Sequence, residues 1–412
     1  MRASFLSAIC SGIIFTYIYP QIPGIWINPA SNYSLSQKEK TEQKFNCRIT
    51  YGQTGLTGGN FINSIIANVL AGVKNPDIIQ MQNTLAFPTM TNAKALLAID
   101  DILGSDEDWD NHPFKSGTMW LGKCYGLKDT FGDKGWFAEG VLYNRELLSK
   151  EGLPDLKQYL KNGQWTWGTM LDIAIMATHD FNGDGIIDQW GLDRDSPEQL
   201  WENLLHSNGL TSIQEVNGRL TIDLTSPRIM RTLQYIVDIY TVYKVIDPLG
   251  GNVGTPTSNF TLGKSVMKIA RPTGGGWDTK YGVTTMPVGP DTNTPIYGSY
   301  ASNFFSFPSN IDNAEETVKV MRYYFTSYDD PQLWYESYPV SNGFLNKDDL
   351  DLIYEYGKYV TFTNERNTGI YAVRSKILGI VNKLSTGSIT VGTATAEINV
   401  GLQAILDSCI VY

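Results

Sequence analysis

Apolar positions in this chain recur in two rhythms. Phe61, Ile65, Ile66 and Val69 fall on one stripe of a helix over 61–73. The run that follows, Asp77-Ile78-Ile79-Gln80-Met81, is short and nearly continuous in apolar character, which predicts a strand buried on both faces. Ser34–Gln43 is polar with helical spacing and Cys47–Tyr51 predicts a strand, so strands and helices alternate and imply an α/β layer architecture. Further along, helices are expected over Ala93–Leu103, Trp165–Thr178, 197–208, 226–243 and Asn313–Phe325, with a mostly helical tail over 361–408. Strands are expected at Gly140–Asn144, Trp190–Leu192, 218–222, Ser265–Ile269, Tyr281–Met286 and Ser302–Phe307. No repeat and no long linker interrupts this order.

Between the helix at 165–178 and the strand at 190 lies Asp180-Phe181-Asn182-Gly183-Asp184-Gly185-Ile186-Ile187-Asp188. Oxygen-bearing side chains stand at relative positions 1, 3, 5 and 9 and glycine at 6, the pattern of a calcium loop. A hard cation takes six to eight oxygens, so the chain must turn tightly around it, and Gly185 supplies the turn. The pattern nominates Asp180, Asn182, Asp184, the Ile186 carbonyl and Asp188 as ligands of a structural Ca2+, with Gln189 beside them. Position 12 is Gly191 instead of a bidentate Glu, so Asp188 and Gln189 must complete the shell of the 180–191 loop. The same residues also build Asx and glycine turns without a metal, and that alternative stays open.

A length of 412 residues is too great for one core and implies two domains or lobes. The net charge of −10, with no run of Lys or Arg, argues against a nucleic-acid partner. Ten Trp and 23 Tyr are a heavy aromatic load, which suits a core and also suits the flat apolar face of a pyranose. Three His and four Cys without metal spacing count against a zinc site or His-based catalysis. Arg2 followed by the apolar stretch Phe5–Phe15 resembles an export signal, and Cys10 loosely suggests a lipoprotein anchor. The alternative makes Ile13–Tyr19 the first strand of the fold.

Eight short segments carry a resemblance that runs over nearly the whole chain after about residue 24. They are Asn75–Gln80, Tyr125-Gly126-Leu127, Leu142–Leu148, Gly152-Leu153-Pro154, Trp165-Thr166-Trp167, Asp188–Leu192, Gly263–Met267, and Tyr281-Gly282-Val283 with Met286-Pro287. In this order they resemble the extracellular solute-binding proteins of ABC importers, in the sugar-binding group that includes maltose-binding protein. The calcium-like loop before Gln189-Trp190-Gly191-Leu192 is similar to that of the alginate-type oligosaccharide binders. The resemblance implies a periplasmic-binding-protein-like fold of two α/β lobes, three inter-lobe crossings and a ligand cleft between lobes. Crossings are expected near 134–140, 290–298 and 330–338. Lobe one would hold 24–136 and 296–332, and lobe two 140–290 and 338–412, with 1–23 a signal, anchor or first strand. It implies no catalysis, a monomer outside the cytoplasm, an oligosaccharide ligand and an ABC permease as partner, with membrane contact only through an N-terminal anchor.

Open parallel sheets bind ligands at the carboxyl ends of their strands. In such a fold that rule selects Gln53 with Thr54 and Gly55, and the segment Gln80 to Asn83 that includes Gln82. Asp129 and Trp136 fall at the first crossing, Tyr300 at the second and Trp334 near the third, while Trp277 follows three glycines after a strand. Asp and Gln match hydroxyls and Trp covers a sugar face; each aromatic has a core role as its alternative. Trp165, Trp167 and Trp190 are expected in the core. The acidic clusters Asp100-Asp101 and Asp106-Glu107-Asp108 leave a calcium-dependent carbohydrate-active enzyme, a lyase or hydrolase, as the competing reading.

Overall fold

A computed structural model describes residues 14–19, 32–53, 56, 58–111, 115–128, 140–248, 258–270, 280–299, 303–325, 347–357, 359–365 and 367–412. Two sheets organise it, in agreement with the expected two-lobe α/β class. The first is built from β1 (Ile14–Tyr19), β2 (Arg48–Gln53), β3 (Ile78–Gln82), β6 (Gly126–Leu127) and β14 (Asn303–Ser306), in the order β2-β1-β3-β14-β6. The second holds β7 (Gly140–Asn144), β8 (Trp190–Arg194), β11 (Ser265–Ala270) and β12 (Tyr281–Thr285), in the order β12-β7-β11-β8. Pairs β4 (Met119–Trp120) with β5 (Lys123–Cys124) and β9 (Ile213–Val216) with β10 (Arg219–Ile222) are hairpins at the margins. A last pair, β13 (Tyr297–Ser299) and β15 (Val360–Phe362), runs parallel.

Ile14–Tyr19 pairs in parallel with both β2 and β3. The strand alternative therefore holds for Ile14–Tyr19, which belongs to the first sheet. Residues 1–13, Cys10 included, lie outside the described part. Among the described residues no helix is long and apolar enough to cross a membrane.

Local chemistry accounts for most of the helices. Ser196 and Ser226 each precede a proline and cap the helices Pro197–Ser207 and Pro227–Val237, accepting from Gln199 N and Ile229 N. This pairing of a hydroxyl cap with proline in the first turn satisfies free N–H groups without demanding another. Asn144 ends β7 and caps Arg145–Lys150 through Glu146 N and Leu147 N. The helix expected over 226–243 changes character midway, with a π-helical turn at Asp238–Val242.

One expected helix is absent. Over 93–103 only Asp100–Leu103 is helical, preceded by a separate turn at Thr89–Asn92. Lys94 sits at φ 53°, Leu96 bridges Pro308, and Leu97 N donates to Phe307 O at 2.8 Å. Pairing with the end of the β14 segment has overridden helical periodicity. The tail also begins as strand β15 before its helices, Tyr371–Ser385 and Val391–Ser408.

The larger core packs around the second sheet and also takes in Phe61, Met81, Phe87 and Phe304 from the side of the first. Trp165 and Trp167 are buried there as expected, donating their indole N–H groups to Thr285 O and Ser207 Oγ; Trp190 is half-buried in β8. A smaller core under the first sheet packs Ile78, Leu127, Phe305 and Phe307 against Val318 and Met321 of the helix Ala314–Tyr324. Sheet membership changes between Leu127 and Gly140 and between Thr285 and Asn303, and beyond Phe325 the helix Lys347–Gly357 meets the second sheet, where Asp349 accepts from Val283 N.

Candidate functional site

Strand direction locates the site. In the first sheet β1, β2 and β3 run together, and Asn303 at the start of β14 faces Gln82 at the end of β3. Gln53, Gln82 and the chain leaving Leu127 thus share one carboxyl edge. In the second sheet β8 and β11 are parallel and β7 runs against them, which sets Gly140 level with Ala270 and Thr285. The chain leaves the carboxyl edge of one sheet at Leu127 and enters the second sheet at its carboxyl edge, Gly140. It returns from Thr285 to Asn303, again edge to edge. Both sheets therefore turn their carboxyl ends, where open parallel sheets bind ligands, toward the same connections.

Of the expected ligand contacts, Gln82 ends β3 and is half-buried, and Gln53 ends β2. Gln80 differs: it is buried inside β3 opposite Phe305, two residues short of the edge. Asp129, Trp136, Trp277, Tyr300 and Trp334 lie outside the described residues. Their described neighbours in the chain are Leu127 and Gly140 for the first two, Ala270 before Trp277, and Ser299 and Asn303 on either side of Tyr300, Asn303 facing Gln82.

Sequence reasoning missed the charged groups on the second sheet's edge. Lys268 of β11 pairs with Asp195, just past β8, at 2.7 Å. Behind them Asp193 accepts from Arg194 N at 2.7 Å and Phe260 N at 3.1 Å, and burial pushes its carboxyl above the ordinary range. Arg194 Nε donates to the hydroxyl of Tyr240 in the π-helical turn. The available signal was one lysine inside the apolar run Ser265-Val266-Met267-Lys268-Ile269. On the first sheet's side, buried Lys128 stands over the Phe362 ring of β15 at 5.8 Å.

The acidic clusters that left an enzyme open have structural partners. Asp106 caps the turn Glu107–Asp110 and binds Arg322 at 2.7 and 2.9 Å; Asp100 accepts from Cys124 N at 3.0 Å.

The 180–188 loop lies at the far end of β8, where the strand begins. Asp180 accepts from Gly183 N at 2.7 Å and Gly185 N at 2.8 Å, and Asn182 from Asp184 N at 2.9 Å. Asp184 accepts from Ile186 N at 2.8 Å, and Asp188 reaches back to Phe181 N at 2.9 Å. The Gly185 N–H, more than any other contact, holds the Asp180 carboxyl below its usual range. Gly183 and Gly185 take φ of 76° and 85°, which other residues adopt only under strain. Gln189 departs from its expected role: it is buried, and its amide nitrogen donates to Glu151 Oε1 at 2.8 Å and Ala177 O at 3.0 Å.

Gly191 at position 12 has a packing cause, since a Cβ there would stand 2.0 Å from Ala174 O. The strand approaches the helix Trp167–Met176 too closely for any side chain, Glu included. The loop's donors are all oxygen and fit a hard cation in kind, each accepting oxygen keeping a further lone pair. Among the described residues, however, no three His, Cys, Asp or Glu side chains are arranged to hold a metal ion.

No protein-family model and no curated protein sequence matches the chain. Solved structures do. UspC of M. tuberculosis is similar over 95% of this chain and 100% of its own, with a TM-score of 0.67 at 15% identity. The sugar-binding protein MalE of Xanthomonas citri is similar over 96% and 98%, with a TM-score of 0.65 at 11% identity. The maltose/maltodextrin-binding domain MalE of Bdellovibrio bacteriovorus, bound to maltotriose, is similar over 96% and 99%, with a TM-score of 0.55 at 17% identity. At these identities the likeness establishes the architecture: over nearly its whole length the chain has the two-lobe fold of these solute-binding proteins.

Proposed function

We propose that this chain is an extracytoplasmic substrate-binding protein that captures an oligosaccharide between its lobes and delivers it, uncleaved, to an ABC permease. The observation that carries this reading is the near-full-length match to sugar-binding solute-binding proteins, one of them holding maltotriose. The strand directions support it, because both carboxyl edges face the same inter-lobe connections. We assign lobe one to 14–136 with 296–332 and lobe two to 140–290 with 338–412, and take the protein to act as a monomer.

Capture follows from hinge bending. A saccharide touching one lobe gains little; one touching both favours the closed form by its difference in affinity between the two states. Gln53 and Gln82 on one edge and the Asp195–Lys268 pair on the other offer amide, carboxylate and ammonium partners for hydroxyls. Asp129, Trp136, Trp277, Tyr300 and Trp334 are assigned to the same cleft from their places in the sequence, the aromatics as stacking faces. Gln80 is left out because the strand buries it.

We further propose Ca2+ as the structural partner of the 180–188 loop, with Asp180, Asn182, Asp184, the Ile186 carbonyl and Asp188 as its ligands. A bound cation would supply a rigid oxygen-lined turn at the start of β8, away from the cleft. Gln189 leaves this set, being buried with its amide nitrogen tied to Glu151 and Ala177.

A thermal-shift screen against linear and cyclic oligosaccharides, with and without EDTA, tests the reading. One glycan is expected to raise the melting temperature by several degrees in a saturating manner while remaining chemically intact. Cleavage of that glycan, or no shift with any glycan, overturns it.

A further inference from the structure

β13, at the second expected crossing, and β15 lie side by side, Tyr297 to Ser299 opposite Val360 to Phe362. Both are fastened at one place. Ile296 N, immediately before β13, donates to the carbonyl of His206 at 2.9 Å, and Gly289 N to that of Ser207 at 2.9 Å. Asn208 grips Asp291 from both ends of its amide, each contact 2.9 Å. Three residues past β15, the buried carboxylate of Glu365 accepts from Ser212 N at 2.8 Å and stands 3.9 Å from His206 Nε2. The last turn of the helix Pro197–Ser207, with the loop after it, therefore receives both strands. On its other side, the turn Lys115–Thr118 meets β15: Ser116 Oγ accepts from Phe362 N at 3.2 Å.

We propose that the carboxyl end of helix Pro197–Ser207 is the lobe-two pivot of the hinge, with His206 and Glu365 as its positioning residues. The inference rests on the carrier reading for the motion it assigns. A strand pair can flex as a hinge only if its end stays fixed to the body that rotates, and Glu365 makes that attachment for β15. Glu365 is five per cent exposed, so its charge needs partners. Burial opposes that charge, yet His206 and the Thr363 hydroxyl hold the carboxyl below the ordinary range. The other charged groups packed around the pair are Glu198 and Glu202 on the same helix and Arg374 of Tyr371–Ser385, which contacts both. The attraction requires a protonated His206, so it depends on pH.

The test is amide hydrogen exchange on the full, ligand-free chain, corrected for intrinsic rates, in wild type, Glu365→Ala, Glu365→Gln and His206→Gln. Removing the carboxylate leaves Ser212 N–H unpaired in a buried site, so segments 296–299 and 360–365 are expected to exchange about tenfold faster or more in Glu365→Ala. The helix Ala314–Tyr324 of lobe one is expected to keep its wild-type protection. Glu365→Gln retains an acceptor for Ser212 and is expected to restore protection at pH 7. A charge-dependent pivot also predicts that protection of 360–365 varies with pH in wild type and stays flat in Glu365→Gln and His206→Gln. Unchanged exchange in Glu365→Ala overturns the proposal, as does equal loss across Ala314–Tyr324. If Glu365→Ala fails to fold, a Glu365→Gln pH profile identical to wild type overturns it. A chain that binds no saccharide but shows these changes refutes the carrier reading and leaves the pivot standing.

Discussion

Glu151 Oε1 accepts a hydrogen bond from Gln189 Nε2 at 2.8 Å, while its second oxygen faces His179 Nε2 at 2.9 Å. His179 and Gln189 themselves form the neck of the 180–188 loop, His179 N donating to Gln189 O at 2.8 Å. One carboxylate at the end of the helix Arg145–Lys150 thus ties both sides of the neck to lobe two.

Partial burial disfavours the Glu151 charge, but His179 and Gln189 more than offset it and lower its pKa from the ordinary 4.5. The unfolded chain therefore binds more protons than the folded one just below that value, and stability rises with pH through this window. Its contribution is complete above the ordinary value and is lost as pH falls through the depressed one. Glu151→Gln is expected to melt below wild type at pH 6, with the gap closing as pH drops below about 4. A gap of constant size from pH 6 to pH 3 would show that the carboxylate's charge does not matter there.

Asp349 makes the second such attachment, between the helix Lys347–Gly357 and the second sheet. Its carboxylate is fully buried, takes both oxygens to Arg145 Nη2 at 3.0 and 3.1 Å, and also meets Lys157 Nζ. Asp349→Ala leaves two cations without this partner, and breaking a buried pair costs about 3–5 kcal/mol. Urea unfolding of the variant measures that loss directly. A change below about 1 kcal/mol, the scale of an exposed pair, would place Asp349 among surface contacts.

The segments visible in the sequence were those whose cause is local. Apolar stripes and short buried runs marked helices and strands to within a few residues. The 93–103 segment failed because its periodicity suits a helix while its hydrogen bonds go to Phe307, far along the chain. Position 12 of the loop was noticed as a glycine, but its reason, contact with Ala174, exists only after folding. Lys268 with Asp195, and His206 with Glu365, were invisible for the same reason: each pair is an adjacency between separate elements, and no periodicity encodes it. Gln80 and Gln82 show the finest limit. Two residues of one strand looked equivalent, and the register with Phe305 and Asn303 separates them into a buried position and an edge.

The loop offers a test of the proposed cation. Calcium in excess over its dissociation constant is expected to raise the melting temperature, with EDTA reversing the shift, because a ligand of the folded state alone stabilises it by mass action. Asp184→Ala is expected to abolish the calcium-dependent shift and leave saccharide affinity nearly unchanged, since the loop lies at the opposite end of β8 from the cleft edge. Loss of saccharide binding with the calcium response intact would reverse the assignment.

Trp277 carries the most specific expectation about the cleft. It follows Gly274, Gly275 and Gly276, and the chain reaches it from Ala270 at the carboxyl edge of the second sheet. A stacked aromatic face contributes on the order of 1 kcal/mol beyond the area it covers, so Trp277→Ala is expected to weaken saccharide binding about fivefold or more. A core tryptophan would act otherwise, lowering the melting temperature of the ligand-free protein by several degrees and changing affinity only as stability fails. Isothermal titration with the screened glycan and a melt without it separate the two outcomes. Unchanged affinity with a lowered melting temperature removes Trp277 from the site and returns it to the core.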